Sequence, residues 1–526
     1  MRADNTLLDT PPPLRSPTMP HPIETHAPRS AKRLRPRPFR LLWILLALIL
    51  APADAPAADI QGALEQLLTS IQVGDTKYSV AVYDLTRQIP LAEIHADQPL
   101  IPASNQKLIT TASALLTLGP DFDFQTQLIR RGSTLILRGD GDPALGDPRI
   151  LAQLELDYEQ LIQSWIQQIK KSGLTHVTEL IIDDRAFDRT FVHPNWPAEQ
   201  LHKWSFAPVA ALNFNDNCVE LFTCPTTVGQ PPKIHFTPLL SPIQITNHAR
   251  TVTNKKDGPG ASRKIGTNQI TVRGPVKLRR IKPIEVTIHD PPVFLGNLLA
   301  NHLKNAGITV DRVRRVKDDE PIHDGAVIAA VRTPLPVILD RTNTDSQNMF
   351  AEALIKRMGL HATGQPGSWS NGTAAIRLAL SHMLGPDAAA IIVDDGSGLS
   401  RENRVSARLL VRILAYMHQS PQLGQIYIDS LARPRKTGTL AKRFSTVNLV
   451  SDVRAKSGSI NRVIALSGYI MPDEQRTIAF SILINDYSSK KSGIKGGMKR
   501  FTEQLVGTID AQLTKESQAA AVEVGG

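Results

Sequence analysis

Cleaving an amide through a serine requires a nucleophilic hydroxyl, a base close enough to take its proton, and donors for the oxyanion that forms. Ser104 and Lys107, in the run S-N-Q-K, supply the first pair. Residues three apart on a helix share a face, so the lysine amine comes within reach of the hydroxyl. The amine acts as a base only once it has lost its proton, which burial or a neighbouring cation promotes. Alone the pattern is weak, since it recurs at Ser488/Lys491 and Ser492/Lys495, which read as solvated surface near the last helix. Its weight comes from two further groups in chain order: Ser346-Gln347-Asn348, opening the helical run NMFAEALIKRMG, and Lys456-Ser457-Gly458-Ser459, inside a strand-like run. Lys456 is a candidate for the second cation that keeps Lys107 neutral.

The elements that must carry these groups are legible from periodicity and turn residues. KYSVAVYDLTRQIPLAEIHAD reads as two strands joined at Thr86 to Gln88. In IPASNQKLITTASALLTLG, Pro102 suits a first helical turn, and Leu108, Ile109, Ala112, Leu115 and Leu116 recur at helical spacing, which puts Ser104 at a helix N-terminus. From there to about residue 285 the chain is rich in short β-like runs, prolines and basic loops, with one clear helix in YEQLIQSWIQQIKKSG. Helices return at PPVFLGNLLANHLKNAGITV, AAAIIVDD reads as a strand, and VRAKSGS, RVIALSGYIM and RTIAFSILIND predict three closing strands before a final helix. This order fits a mixed α/β sheet flanked by helices on both faces. The expected units are a leader over 1–58, a first catalytic part over 59–128, a mostly β insertion over 129–285, a second catalytic part over 286–515, and a disordered tail over 516–526.

Two other Lys-Ser/Thr-Gly tripeptides compete with Lys456. Lys436-Thr437-Gly438 lacks a period-two run, and Lys491-Ser492-Gly493 opens a helix. Only Lys456 has a strand-like run before it and strands after it. The GSG at Gly396 to Gly398 is not a G-x-S-x-G nucleophile elbow, and Asp140 and Asp142 in GDGDP read as a turn rather than as metal ligands.

Bulk properties set the class and compartment. The chain has 526 residues, 41% hydrophobic and 21% charged, an ordinary globular composition long enough for two or three domains. A net charge of +11 suits a protein working beside anionic cell-surface polymer as well as it suits a nucleic-acid binder. The basic stretch from Lys255 to Lys282 reads as a solvated loop and hairpin, with contact to anionic wall polymer as the sharper alternative. Basic residues from Arg29 to Arg40 precede the apolar run LLWILLALIL and then APADAPAAD, the order of a secretory signal cleaved near Ala57/Ala58. The apolar run is too short to span a bilayer comfortably. Cys218 and Cys224 are too far apart along an extended chain to bridge and are expected to be free. No Cys or His cluster has metal-ligand spacing, so neither metal nor cofactor is expected.

The three groups, with the stretches LRGDGDPAL, FAPVAALNFNDN, DDGSGLSRENRVS and VRAKSGSINRVIALSGYI, resemble the serine penicillin-binding proteins, and within them the class C, penicillin-binding protein 4-like D-Ala-D-Ala carboxypeptidases of peptidase family S13. Ser104 and Ser346 lie 242 residues apart, and Ser346 and Lys456 110, which matches the large insertion of that group. The resemblance implies a β-lactamase-like catalytic domain with an insertion between the first and second groups. It also implies roles. Ser104 attacks the penultimate D-alanine carbonyl and Lys107 takes its proton. Ser346 relays a proton to the leaving amine, and Asn348 contacts the substrate amide and holds Lys107. Lys456, Ser457 and Ser459 receive the substrate carboxylate, with Gly458 in the same strand, and the N–H groups of Ser104 and Ser459 form the oxyanion hole. The implied partners are peptidoglycan pentapeptides and cross-links, with β-lactams as covalent inhibitors and no nucleic acid, and peripheral association with membrane or wall polymer is compatible with the charge. The implied location is periplasmic or otherwise exported. A slow β-lactamase and a non-catalytic wall-binding protein of the same fold are the alternatives. The only Leu-Asn pair, Leu212-Asn213, lacks the glutamate context of efficient β-lactamases, and intact motifs argue against a scaffold.

Overall fold

The computed structural model describes residues 59–70, 75–239, 243–254, 256–323, 325–487 and 494–525, with side chains up to 519. The leader over 1–58 and the Ser488 to Gly493 repeats lie outside these residues. The central sheet has the order β16 (Asp452–Ile460), β17 (Val463–Met471), β18 (Ile478–Asn485), β1 (Lys77–Asp84), β2 (Ile89–Ile94), antiparallel throughout. Successive side chains in a strand point to opposite faces, and here both faces are covered. Val80, Val82, Ile464, Leu466, Ile482 and Ile484 pack with Ile60 and Leu64 of α1 (Ile60–Thr69) and with Phe501 and Leu505 of α11 (Ile494–Gly525). Ala81, Ala465, Ala479 and Leu483 face the larger helical layer. That layer holds α2 (Gln106–Leu118), α6 (Leu335–Asn343), α7 (Asn348–Thr363), α8 (Trp369–Leu384), α9 (Ala407–Gln419) and the short α10 (Gly424–Asp429). Helix α2 is its axis, buried on every side from Gln106 to Leu115, as expected of a helix without a polar face.

The insertion is built on a second five-stranded sheet, β14 (Thr309–Arg315), β5 (His176–Asp183), β4 (Thr134–Gly139), β3 (Asp123–Arg131), β15 (Ala326–Pro334). The short α3 (Pro148–Gln153) follows β4. Helix α4 (Tyr158–Lys171) buries Ile162, Trp165, Ile166 and Ile169, an i, i+3, i+4, i+7 stripe, and shares a core with α5 (Pro291–Asn305). Beyond it lie three small sheets: β13 (Ile284–Thr287)-β6 (Cys218–Cys224)-β7 (Lys233–Thr237), β10 (Gly260–Arg263)-β11 (Gln269–Arg273)-β8 (Gln244–Asn247), and the pair β9 (Arg250–Thr251) with β12 (Pro275–Val276). Cys218 and Cys224 sit at opposite ends of β6 as free thiols.

Three expectations are corrected. The unit boundaries placed after 128 and 285 fall inside β3 and β13, because β3 pairs with β15 and α5 packs on β5 and β14. The insertion thus extends from Asp123 to Pro334, a closure by long-range pairing that leaves no local mark in the sequence. AAAIIVDD is not a strand: its alanines close a 3-10 turn (Gly385–Ala390), and Ile392 makes one isolated bridge to Arg404. The segment after Glu516 is not a disordered tail but the end of α11, and Glu516 pairs with Arg87 and with Arg476, 3.0 Å away.

The same arginine holds the hairpin end. Asp84, fully buried, accepts N–H bonds from Thr86 (3.0 Å) and Arg87 (2.9 Å) and pairs with Arg476 Nε at 2.9 Å. Arg476→Ala strands a buried carboxylate and is expected to cost about 3 kcal/mol, whereas Glu516→Ala, which breaks the more exposed end of the network, should cost about 1 kcal/mol or less. Urea unfolding of the two variants checks the ranking, and equal losses would refute the network as described.

Candidate active site

Ser104 lies in a 3-10 turn (Ala103–Asn105) that runs straight into α2, and Lys107 is in the first turn of that helix. Ala103 has φ +46, a strained value for a residue with a side chain. Lys107 Nζ stands 3.4 Å from Ser104 Oγ, 2.6 Å from Asn348 Oδ1 and 2.8 Å from Ser397 O. Three donor hydrogens thus meet three oxygens in a fully buried position. Burial pushes the Lys107 amine down to about 7, while the carboxylates of Glu352 and Asp395 oppose the shift.

Asn348 opens α7, its Oδ1 on Lys107 and its Nδ2 donating to Ser205 O at 2.8 Å. Ser346, two residues earlier, is half-buried with φ +64. Its turn is fastened on both sides: Arg341 Nη1 donates to Asp345 Oδ2 (2.7 Å), and Gln347 Nε2 to Asp216 Oδ2 (3.0 Å).

Lys456 lies on β16, the edge strand of the central sheet, fully buried, its Nζ donating to Ser457 O at 3.0 Å. Burial, and then the nearby Lys107, push its amine well below the ordinary lysine range. For both lysines the shift comes first from burial. Gly458 brings the strand against the Ala103–Asn105 turn, since a Cβ there would sit 3.0 Å from both Pro102 O and Ser104 N. Asn105 ties the two together, its amide nitrogen donating to Lys456 O (3.0 Å) and its oxygen accepting from Ser467 N (3.2 Å) and Ser467 Oγ (2.6 Å). Ala455 N donates away from β17, to Ala432 O. Alternation along an antiparallel strand then turns the Ser457 and Ser459 N–H groups toward the same free edge. Ser457 Oγ lies 2.9 Å from Thr439 Oγ1, and Ser459 Oγ is buried without a partner among the described residues. Lys436, by contrast, is exposed in a turn. Ser104 with Lys107, Asn348 and the Lys456 to Ser459 strand thus come together from separate elements, and Ser346 lies two residues before Asn348 in the turn that opens α7.

Several residues around the cleft escaped sequence reasoning. Glu352, fully buried four residues after Asn348, accepts from Trp369 Nε1 (2.7 Å), Gly396 N (3.0 Å) and Ser397 N (2.8 Å). Asp395 accepts from Trp196 Nε1 (3.0 Å), Gly398 N (2.8 Å) and Asn403 Nδ2 (2.8 Å). Together they hold the 395–400 loop so that Ser397 O faces Lys107. Gly398 has φ +83, and a Cβ there would collide with Ala103 O. A usable signal existed for Glu352: it is the one acid in the helical run NMFAEALIKRMG, flanked by Met, Phe, Ala, Leu and Ile. Thr439 belongs to the segment following the rejected Lys436 tripeptide. Among the described residues no group of three or more His, Cys, Asp or Glu is placed to hold a metal ion.

A sheet backed by a buried helix, with a serine turn at the foot of that helix and a lysine on the edge strand, is the penicillin-binding fold. The crystal structure of penicillin binding protein 4 (dacB) from Haemophilus influenzae matches with a TM-score of 0.70 at 23% identity, over 85% of this chain and 99% of that one. Residues 60–505 match the D-Ala-D-Ala carboxypeptidase 3 (S13) family, and the chain belongs to that family of serine-type peptidases. Curated relatives include the D-alanyl-D-alanine carboxypeptidase of Actinomadura sp. (strain R39), 30% identical over 84% of this chain and 86% of its own. The D-alanyl-D-alanine carboxypeptidase DacB of Haemophilus influenzae is 25% identical, over 82% and 94%.

Glu352→Ala leaves three buried N–H groups without an acceptor, so a loss of about 3 kcal/mol in unfolding free energy is expected, with at least a tenfold fall in D-alanine release as Ser397 O drifts from Lys107. Parallel unfolding and release assays check this, and full activity at full stability would remove Glu352 from the support of the site.

Proposed function

We propose that this protein is exported and cleaves peptidoglycan pentapeptides, releasing the terminal D-alanine, and also the D-alanyl bonds of cross-links, through an acyl-enzyme on Ser104. The observation that carries the reading is the buried Lys107 amine 3.4 Å from Ser104 Oγ, brought down to about 7. An amine of that basicity takes a serine proton near neutral pH. Ser104 Oγ bonds to the carbonyl carbon and its proton passes to Lys107 Nζ. The Ser104 and Ser459 N–H groups take the oxyanion, each worth about 3 kcal/mol in such sites. Ser346 passes the proton to the departing amine, and water then releases the ester. The second hydrogen on Asn348 Nδ2 serves the substrate amide. Lys456, Ser457 and the partnerless Ser459 hydroxyl receive the carboxylate. Gly458 matters by its lack of a side chain.

β-Lactams offer the same carbonyl and carboxylate pair and should acylate Ser104. The Haemophilus influenzae fold relative has also been crystallised complexed with a β-lactam, a structure that matches with a TM-score of 0.66 at 22% identity. Export is supported by the leader in the sequence and by the cell-wall substrate of the family. Among the described residues no helix is long and apolar enough to cross a membrane.

Incubation with a labelled penicillin followed by peptide mapping should place the adduct on the peptide containing Ser104, and Ser104→Ala should abolish it without unfolding the protein. An adduct elsewhere would end the reading. The acylation rate should rise about tenfold per pH unit below about 7 and level off above it, because only the neutral amine of Lys107 accepts a proton. A flat profile from pH 5 to 8 would exclude Lys107 as the base.

The two lysine tripeptides make a sharper test. Lys456→Ala should reduce both D-alanine release and penicillin acylation by orders of magnitude, since it removes the carboxylate anchor and the buried amine beside Lys107. Lys436→Ala should be near neutral, an exposed lysine contributing roughly 0–1 kcal/mol at most. The reverse ranking in side-by-side acylation assays would assign the wall of the cleft to the wrong strand.

A further inference from the structure

Charge is distributed very unevenly along this chain. Residues 221–284 contain eleven Lys or Arg and one acid, Asp257, so this stretch alone carries +10 of the net +11. It folds as the outer part of the insertion, from β6 through β12, and its loops converge at one end. Gly229 N donates to Thr251 O, Val252 N to Val276 O, Gly258 N to Pro275 O and Arg280 N to Thr223 O. Asp257 Oδ1 pins the base of the last loop, accepting from Lys277 N at 2.7 Å.

On this end stand large apolar side chains in water: Ile281 is 92% exposed, Leu278 62% and Val228 59%. Lys256, Lys277, Arg279 and Lys282 are exposed around them. The 277–282 loop, K-L-R-R-I-K, thus alternates cations with protruding aliphatic side chains on a backbone tied down at both ends. A soluble polyanion is matched by the cations alone and gives the aliphatic groups nothing. An interface with headgroups above and acyl chains below matches both.

We propose that the outer end of the insertion docks on an anionic phospholipid surface, with Leu278 and Ile281 entering the headgroup–acyl boundary and Lys277, Arg279 and Lys282 meeting the lipid charges. The position leaves the cleft open. Strand β6 runs from Cys218, beside the turn that holds Gln347, to Cys224 under the basic loop, and seven residues of strand span about 20 Å. Docking at the far end therefore leaves the turn that holds Gln347 about one strand length from the bilayer.

The test is vesicle flotation of the full chain, with phosphatidylglycerol mixed into phosphatidylcholine or with phosphatidylcholine alone. Residues 1–58 are common to every variant, so differences report the loop. The Leu278→Ser/Ile281→Ser variant should bind anionic vesicles at least tenfold more weakly. The Lys277→Gln/Arg279→Gln/Lys282→Gln variant should lose about a hundredfold, near fivefold per cation. Binding of the unaltered protein should fall steeply from roughly 0.1 M to 1 M salt. Both variants should keep the parent's unfolding midpoint, which separates loss of docking from loss of fold. Unchanged flotation of the Leu278→Ser/Ile281→Ser variant would overturn the proposal. So would binding of soluble polyphosphate by that variant at parental strength with no vesicle binding by the parent, which would assign the patch to a charged polymer.

Discussion

A lysine amine sealed from water must either find an oxygen for each of its hydrogens or surrender its proton, and the cleft is organised around holding Lys107 between those two states. Three oxygens reach it, from Ser104, Asn348 and Ser397, and each comes from a different part of the chain. Supply too few and the amine is a base with no fixed direction; bring carboxylates into direct contact and it stays an ammonium. Glu352 and Asp395 resolve the conflict by standing one layer back, where they spend their oxygens on backbone and indole N–H groups and only indirectly favour the charged amine.

Close approach follows from the same demand. The Lys107 amine, the Ser104 hydroxyl and the edge strand can share one small volume only if backbones nearly touch, and two glycines permit this. Gly458 brings β16 to the Ser104 amide, and Gly398 brings the 395–400 loop onto Ala103 O. Two non-glycine residues, Ala103 and Ser346, are held at positive φ, one next to Ser104 and the other two residues before Asn348. Such backbone persists where surrounding contacts over-determine it, and here the Arg341 and Gln347 bonds, the Asn105 bridge and the packing of Gly398 do so.

The candidate groups could be picked out in the sequence because each depends on local spacing: three residues from Ser104 to Lys107, two from Ser346 to Asn348, and period two around Lys456. The closing strands and α4 were readable for the same reason. What was not readable depends on partners far away in the chain. The insertion ends at Pro334 because β15 pairs with β3, which no window of sequence near 285 can display. Helix α11 continues past Glu516 because that side chain meets Arg476 and Arg87 from the other end of the fold. Glu352 looked like one acid in a helix, and its meaning appears only when residues 396 and 397 arrive. Which of the two causes open in the sequence comes first for Lys107 was hidden for a related reason: the sequence reveals a second lysine but not the depth of the first.

The insertion does not hang from the catalytic unit as an appendage, because its bonds reach into the cleft. Asn348, which fixes Lys107, is itself fixed by Ser205 O, and the turn that presents Ser346 leans on Asp216, both supplied by the insertion. Arg341 of the helical layer draws in Asp147 (2.6 Å) and Asp216 (3.5 Å) from the insertion and Asp345 (2.7 Å) from the motif turn. Burial, and then the neighbouring Asp147, push the Asp216 carboxyl well above the ordinary range. A guanidinium shared among three acids on two units serves as a junction whose removal would leave carboxyl groups buried on both sides. The 241 residues between Ser104 and Ser346 therefore do more than separate the first two groups: they return to the cleft with the backbone oxygen and the carboxyl that hold Asn348 and Gln347.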